Sequence, residues 1–176
     1  MDVSALDDRR LAVLAQAGDS AAAGELFNRY WPRAWRAAYG ILGERSAADD
    51  AAQSAIERAF AALGSFDVSR PFGPWITRIA ANQALNELRS RRRSEPLEDL
   101  TEPAIAPFAE IGERDELFAA LGGLSLDRRV VVVLRYLLDL DPPEIADLLK
   151  VPLGTVSSRL ARGLADLRSA LEVRST

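Results

Sequence analysis

The chain has 176 residues, 48% of them hydrophobic and 27% charged, with a formal net charge of -4 and a pI near 5.0. It contains no Cys and no His, which excludes disulfides, thiolate or imidazole metal ligands and catalysis by either residue. The balance is that of a soluble globular protein with room for one large or two small domains, and its acid excess argues against a free-standing DNA binder.

Apolar runs such as Val130–Leu134 fall far short of the ~20 residues that span a bilayer. Met1-Asp2-Val3-Ser4 lacks the basic and apolar regions of a signal peptide. A cytoplasmic location without membrane insertion is expected.

Helix punctuation is dense and strand signals are nearly absent. A first helix is predicted from about Asp7 to Ala17, closed by Gly18. Ser20 is the predicted cap of a second, Ala-rich helix that carries Leu26, Phe27, Tyr30, Trp31, Trp35 and Tyr39 before Gly43. Pro32 is expected to kink or split it, because proline removes a donor and clashes with the preceding turn. Ser46 is the predicted cap of a third helix with the stripe Ala51, Ile56, Ala59, Phe60 and Leu63, stopped by Gly64. After a loop from Ser65 to Gly73, a fourth helix runs from about Pro74 to Arg93, with Trp75, Ile76, Ile79, Ala80, Ala84, Leu85 and Leu88 at helical spacing.

From Ser94 to Gly112 the texture changes: Pro96, Pro103 and Pro107 break any helix, and the charges are acidic. This predicts a flexible acidic linker, 94–112, between a domain over 1–93 and another over 113–176. Four more helices follow, near Glu113–Leu121, Leu126–Leu138, Pro142–Leu149 and Leu153–Leu171. The β-branched run Val130–Val133 alone suggests a strand; Leu126, Leu134 and Leu137 extend it at helical intervals, so it reads as a buried helix. The fold class is all-α, in two small helical domains.

The last two helices have the form of a helix-turn-helix. Asp141-Pro142-Pro143 starts the first, Pro152 makes the turn, and Gly154-Thr155-Val156-Ser157-Ser158 opens the second. Ala146 is small where two helices must pass, and Val156 and Leu160 can anchor the second helix. Thr155, Ser157, Ser158, Arg159, Ala161 and Arg162 remain near its exposed half. Hydroxyls and arginines there suit phosphate and base-edge contacts, and they equally suit the polar face of an ordinary hairpin.

On the fourth helix, Arg78, Asn82, Asn86 and Arg89 share one face, and Arg89-Ser90-Arg91-Arg92-Arg93 closes it. The cations fit a helix C-terminus. Two mid-helix asparagines do not serve the helix and suit a nucleic-acid backbone with exposed bases. The third helix has the opposite sign: Asp49, Asp50, Gln53 and Glu57 either favour the helix dipole or form a docking face for a basic protein surface. A catalytic carboxylate pair is disfavoured, since no Gly-rich phosphate loop accompanies it, and no cofactor, metal or enzymatic activity is expected. Trp31, Trp35 and Trp75 read as core, while Phe66 and Phe72 are open to either reading.

Together these segments resemble a bacterial sigma factor of the extracytoplasmic function (ECF) group, sigma-70 family. Leu14-Ala15-Gln16-Ala17-Gly18-Asp19 resembles the group's opening, and Asp49-Asp50-Ala51-Ala52-Gln53 the start of region 2.2. Phe66-Asp67, Arg70-Pro71-Phe72 and Trp75-Ile76-Thr77-Arg78-Ile79-Ala80-Ala81-Asn82 resemble regions 2.3 and 2.4. Glu144-Ile145-Ala146 and Val151-Pro152-Leu153-Gly154-Thr155-Val156-Ser157-Ser158-Arg159-Leu160 resemble region 4.2.

The resemblance implies that Asp49, Asp50, Gln53 and Glu57 dock on the clamp helices of the polymerase β′ subunit. It implies that the loop Ser65, Phe66, Asp67, Arg70, Phe72 captures a flipped base of the −10 element, and that Arg78, Asn82, Asn86 and Arg89 hold that strand. Thr155, Ser157, Ser158, Arg159 and Arg162 would meet the −35 element, region 4 would contact the β flap, and the linker would run through a basic channel near the RNA exit. An anti-sigma factor is a further implied partner. Binding DNA as part of holoenzyme also fits the acidic pI.

Four positions depart from the pattern. Ser54 replaces a usual glutamate and bears on core docking; Ser157 replaces a usual Lys or Arg and Ala161 a larger side chain, so −35 reading shifts toward Arg159, Arg162 and DNA shape. Lys150 replaces a glycine that ends the first helix of the motif. If left-handed, it costs about 1 kcal/mol, and Lys150→Gly is expected to stabilise region 4. The rival readings are a polymerase-independent helix-turn-helix regulator and a sigma-like adaptor that has lost promoter recognition.

Overall fold

The computed structural model describes residues 3–94 and 115–174; the predicted linker, 94–112, lies outside them save for its first residue. Among the described residues every regular element is helical: α1 (Asp8–Gln16), α2 (Ser20–Leu42), α3 (Arg45–Ala62), a 3-10 turn (Leu63–Ser65), α4 (Phe72–Ser94), α5 (Asp115–Gly122), α6 (Leu126–Tyr136), α7 (Pro142–Leu149) and α8 (Leu153–Arg174).

The boundaries follow local chemistry, with two corrections to the caps. Asp7 starts α1 by accepting from the Arg10 amide at 2.8 Å, and Gly18 leaves it at φ 92. Asp19, not Ser20, caps α2: its carboxylate accepts from the amides of Ala21 and Ala22 at 2.9 and 3.1 Å, leaving Ser20 as the first helical residue. Glu44, not Ser46, precedes α3, and the Ser46 hydroxyl is spent on the Glu44 carboxylate at 2.5 Å. Pro32 does not split α2, which runs unbroken to a left-handed Gly43. Pro32 and Asn28, whose carbonyl loses its partner, are both exposed to water.

Helices α2, α3 and α4 meet through alanines. Ala37, Ala38, Ala48, Ala51, Ala81 and Ala84 are at most 3% exposed, which brings the backbones close. In the C-terminal half, Val130–Leu134 is buried within α6, as a helix rather than a strand. Asp141 and Glu144 form a capping box at α7, Val156 of α8 is fully buried, and Gly163 lets α8 lie against Val132.

The halves pack on each other. One apolar cluster runs from Ala37–Leu42 of α2 to Phe118, Val130–Leu134 and Val156, while a second, around Leu11, Leu26, Ile56, Phe66 and Ile76, belongs to the N-terminal half. At the junction the bare backbone of Gly40 lies under Val133 and Leu137, and the Tyr39 and Phe118 rings are 5.1 Å apart. Arg129, 1% exposed, donates to the carbonyl of Ile41 at 2.9 Å, and Arg33 pairs with Asp139 at 3.0 Å.

Candidate nucleic-acid interface

The acidic residues of α3 all face solvent: Asp49, Asp50, Gln53 and Glu57 are exposed. Since α3 begins at Arg45, Asp49 and Asp50 lie past its first turn, where the dipole has little hold. That removes the dipole reading and leaves an open acidic face. Gln53 donates to Glu57 at 2.9 Å, and the Trp35 indole donates to Asp49 at 2.6 Å, fixing that carboxylate from α2.

The loop before α4 is held from below. The Gln16 amide donates to the carbonyls of Leu63 at 2.8 Å and Phe66 at 2.9 Å. Phe66 and Phe72 are 7% and 3% exposed, packed on each other, on Trp75 and, for Phe72, on Tyr30. In the free chain they therefore form the floor of the loop. Phe72 is also the first residue of α4 rather than part of the loop. Of the loop's expected contacts, Ser65, Asp67 and Arg70 are exposed. Asp67 accepts from the hydroxyl and amide of Ser69 at 2.7 and 3.0 Å, which closes an Asx turn and, with Arg70 nearby, holds its carboxyl below the usual range.

On α4, Arg78, Asn82, Asn86 and Arg89 form one exposed stripe, as their spacing predicts. Arg89 donates to the Asn86 side chain at 3.2 Å, so the two act as a unit. Both arginines also reach the C-terminal half: Arg78 lies 3.7 Å from Glu144, and Arg89 donates to the Leu148 carbonyl at 3.5 Å.

On α8, Ser157, Ser158 and Arg162 are exposed, while Thr155 and Arg159 are half-buried. The serine hydroxyls donate to the carbonyls of Leu153 and Thr155, at 3.1 and 3.0 Å. Arg159 is paired with Asp127 at 2.6 Å. Lys150 is left-handed, at φ 56 and ψ 46, and positions the turn into α8. Arg89 and Arg159 line one open groove of about 320 Å³ floored by Leu85, Leu88, Val130 and Leu149.

Gln16, Asp127, Glu144 and Arg129 were absent from the sequence-derived sites. Gln16 and Glu144 lie inside motifs of the sequence, and Asp127 and Arg129 act through partners in other helices.

A profile of sigma-70 region 2 matches residues 26–94 and one of sigma-70 region 4 matches residues 114–167. The ECF RNA polymerase sigma factor SigW of Bacillus subtilis is 30% identical over 170 residues, covering 88% of this chain and 91% of its own. The RNA polymerase sigma factor CnrH of Cupriavidus metallidurans is 31% identical over 185 residues, covering 96% of each. CnrH in complex with the cytosolic domain of CnrY superposes with a TM-score of 0.61 at 29% identity, covering 94% of this chain and 97% of that one. RpoE of Bartonella quintana, in complex with the anti-sigma factor NepR, shares the fold, with a TM-score of 0.62 at 22% identity over 85% of this chain and 96% of that one. Among the described residues no helix is long and apolar enough to cross a membrane.

Proposed function

Because the chain belongs to the extracytoplasmic function group of the sigma-70 family, we propose how its exposed faces divide that family's work. The protein is a sigma factor that binds core RNA polymerase and directs initiation at particular promoters. Its relatives are initiation factors, and RNA synthesis itself belongs to the core enzyme. The rival reading as a lone helix-turn-helix regulator is disfavoured, because both halves of the chain match sigma regions.

In this reading the acidic face of α3 docks on the β′ clamp helices, with Asp50 and Glu57 meeting basic partners. The loop Ser65–Arg70 and the stripe on α4 take the non-template strand of the −10 element. Unstacking a base costs a few kcal/mol. The exposed loop groups and the Arg78, Asn82, Asn86, Arg89 row offset that cost by holding the strand once it opens. Phe66 and Phe72 contribute by keeping the loop in shape. Helix α8 enters the −35 major groove, which is about 12 Å wide and admits a helix, with Thr155, Ser157, Ser158, Arg159 and Arg162 toward the DNA. Region 4, residues 113–176, contacts the β flap, and region 2, residues 1–93, carries the −10 and clamp contacts. The protein works in the cytoplasm, where the polymerase is. An anti-sigma factor is its regulatory partner; this is supported by the complexes in which its structural relatives occur.

The observation that carries this reading is the exposed Arg78, Asn82, Asn86, Arg89 row on α4, beside a helix α3 that exposes Asp49, Asp50, Gln53 and Glu57. The test is retention of core RNA polymerase by the tagged protein and by Asp50→Lys/Glu57→Lys. Retention by the wild type and loss in the variant are expected. Equal retention by both would remove α3 as the docking face, and retention by neither would remove the function.

A further inference from the structure

We propose that Leu153, Ser157 and Ala161 form a row on α8 that reads A·T base pairs. In it the Ser157 hydroxyl oxygen accepts from the N6 amino group of an adenine, and the apolar side chains before and after it meet thymine methyl groups. The assignment rests on the reading of α8 as the helix that enters the −35 major groove.

The three residues stand four apart on α8, so they share one face, and all three are exposed. At a rise of about 1.5 Å per residue, neighbours in the row lie about 6 Å apart, close to two base-pair steps of about 3.4 Å. Leu153 is 49% exposed at the first position of the helix. A lone exposed leucine is ordinary on a protein surface. This one heads a row whose other members are a small hydroxyl and a methyl, with no charge among them.

Ser157 sets the polarity of the row. Its hydroxyl donates to the Leu153 carbonyl, one turn back, at 3.1 Å. A serine hydroxyl has one proton and two acceptor lone pairs. With the proton turned into the helix, only acceptor capacity faces outward. In the major groove guanine shows N7 and O6 and thymine shows O4, all acceptors, while adenine N6 and cytosine N4 are donors. An outward acceptor therefore fits adenine or cytosine and is repelled by guanine and thymine.

The flanking side chains decide between the two. An A·T pair carries an amino donor and a methyl on one edge, which matches a serine between leucine and alanine. A C·G pair would set the guanine acceptors against those apolar side chains and leave them without donors. Ser158 is bonded back in the same way, to the Thr155 carbonyl at 3.0 Å, but its own row continues to the exposed Arg162. That row joins an acceptor to a donor and lacks the apolar match.

The test uses holoenzyme made from core RNA polymerase and the full chain, with duplex DNA randomised over the −35 and −10 windows. Wild type should select an A·T pair in the −35 window that Ser157→Ala no longer selects. Ser157→Arg should turn that position toward guanine, whose O6 and N7 suit a guanidinium. On the selected duplex, purine in place of that adenine removes only the amino group, and uracil in place of the flanking thymines removes only methyls. Each replacement should weaken wild type about three- to fivefold, roughly the worth of one hydrogen bond or one methyl. The purine loss should vanish in Ser157→Ala, and the uracil loss should shrink in Leu153→Ala.

Losses of equal size in wild type and variants would overturn the contacts and assign the preference to DNA shape. A G·C pair at the position that depends on Ser157 would overturn the polarity. A flat −35 window with core retained would overturn both this row and α8 as the −35 helix. Should core not be retained, the sigma reading fails instead, and the same library bound to the full chain alone decides the row.

Discussion

The guanidinium of Arg159 sits 2.6 Å from the carboxylate of Asp127, tying the second turn of α8 to the first turn of α6. An arginine proposed to meet DNA is thus engaged by an acid in the free chain. The pair is partly exposed and worth ~0–1 kcal/mol, so freeing the arginine should have a visible but limited effect. Asp127→Asn is expected to tighten binding to a −35 duplex by no more than about fivefold, and Arg159→Ala to weaken it and lower the salt slope by about one. Titrations at several salt concentrations check this. Unchanged affinity in both variants would remove Arg159 from the DNA face.

Lys150 carries a side chain in a left-handed conformation, at φ 56 and ψ 46. Lys150→Gly should stabilise the C-terminal half by about 1 kcal/mol, because glycine pays no Cβ penalty there. A thermal melt of the variant that is unshifted or lower would refute the cost.

Two glycines should answer alanine with opposite signs. Gly24 has open space around its missing Cβ, so Gly24→Ala should gain up to about 1 kcal/mol from helix propensity. At Gly163 the added Cβ would meet the Val132 side chain at 2.8 Å and Arg128 at 3.3 Å. Overpacking of ~1–3 kcal/mol should outweigh the same propensity gain, pushing α8 off α6. Denaturant midpoints would show the split, and equal shifts would mean that α6 and α8 yield at no cost.

Gln16 holds the loop before α4 from α1 by bonding two carbonyls, those of Leu63 and Phe66. Gln16→Ala leaves the Phe66 carbonyl without this donor and Leu63 with the Phe66 amide alone, and should loosen the loop while leaving α3 untouched. Promoter opening, followed by permanganate reactivity of unpaired thymines, should fall severalfold with core retention unchanged. Loss of both together would point to a general folding defect instead.

Glu44 is held below the usual carboxylate range, first by the Ser46 hydroxyl and then by Arg91 at 2.7 Å. With a depressed folded value, its contribution is present above the ordinary glutamate pKa of ~4.3 and lost as pH falls through the folded value. Glu44→Gln should therefore be less stable than wild type at neutral pH, with the difference closing in acid. A gap that persists at low pH would assign the effect to shape and not to charge.

How much of this could be read in the sequence differs by residue. Val130–Val133 reads as a helix because Leu126 and Leu134 keep its register, and the structure has it so. The α4 stripe and the α7 start at Asp141 were equally legible, since each depends on local spacing or local capping. The caps at Ser20 and Ser46 were misread because cap-competent neighbours compete, and backbone angles at Asp19 and Glu44 decide. Burial of Phe66 and Phe72 depends on Tyr30 and Trp75, which only tertiary packing brings near. Nothing local announces that Gly40 lies under Val133 or that Arg129 reaches the Ile41 carbonyl across the two halves. A helical glycine reads as a weak point until a neighbouring helix is seen resting on it.

The alanines joining α2, α3 and α4 have a consequence for how such a chain can diversify. A methyl group has no torsion to re-sort, so neither helix can be re-angled by trading one rotamer for another. Enlarging any one of them forces backbones apart, and shrinking one leaves only glycine. Change at these alanine contacts is therefore the hardest for this half to absorb, and outward positions are the freest to vary.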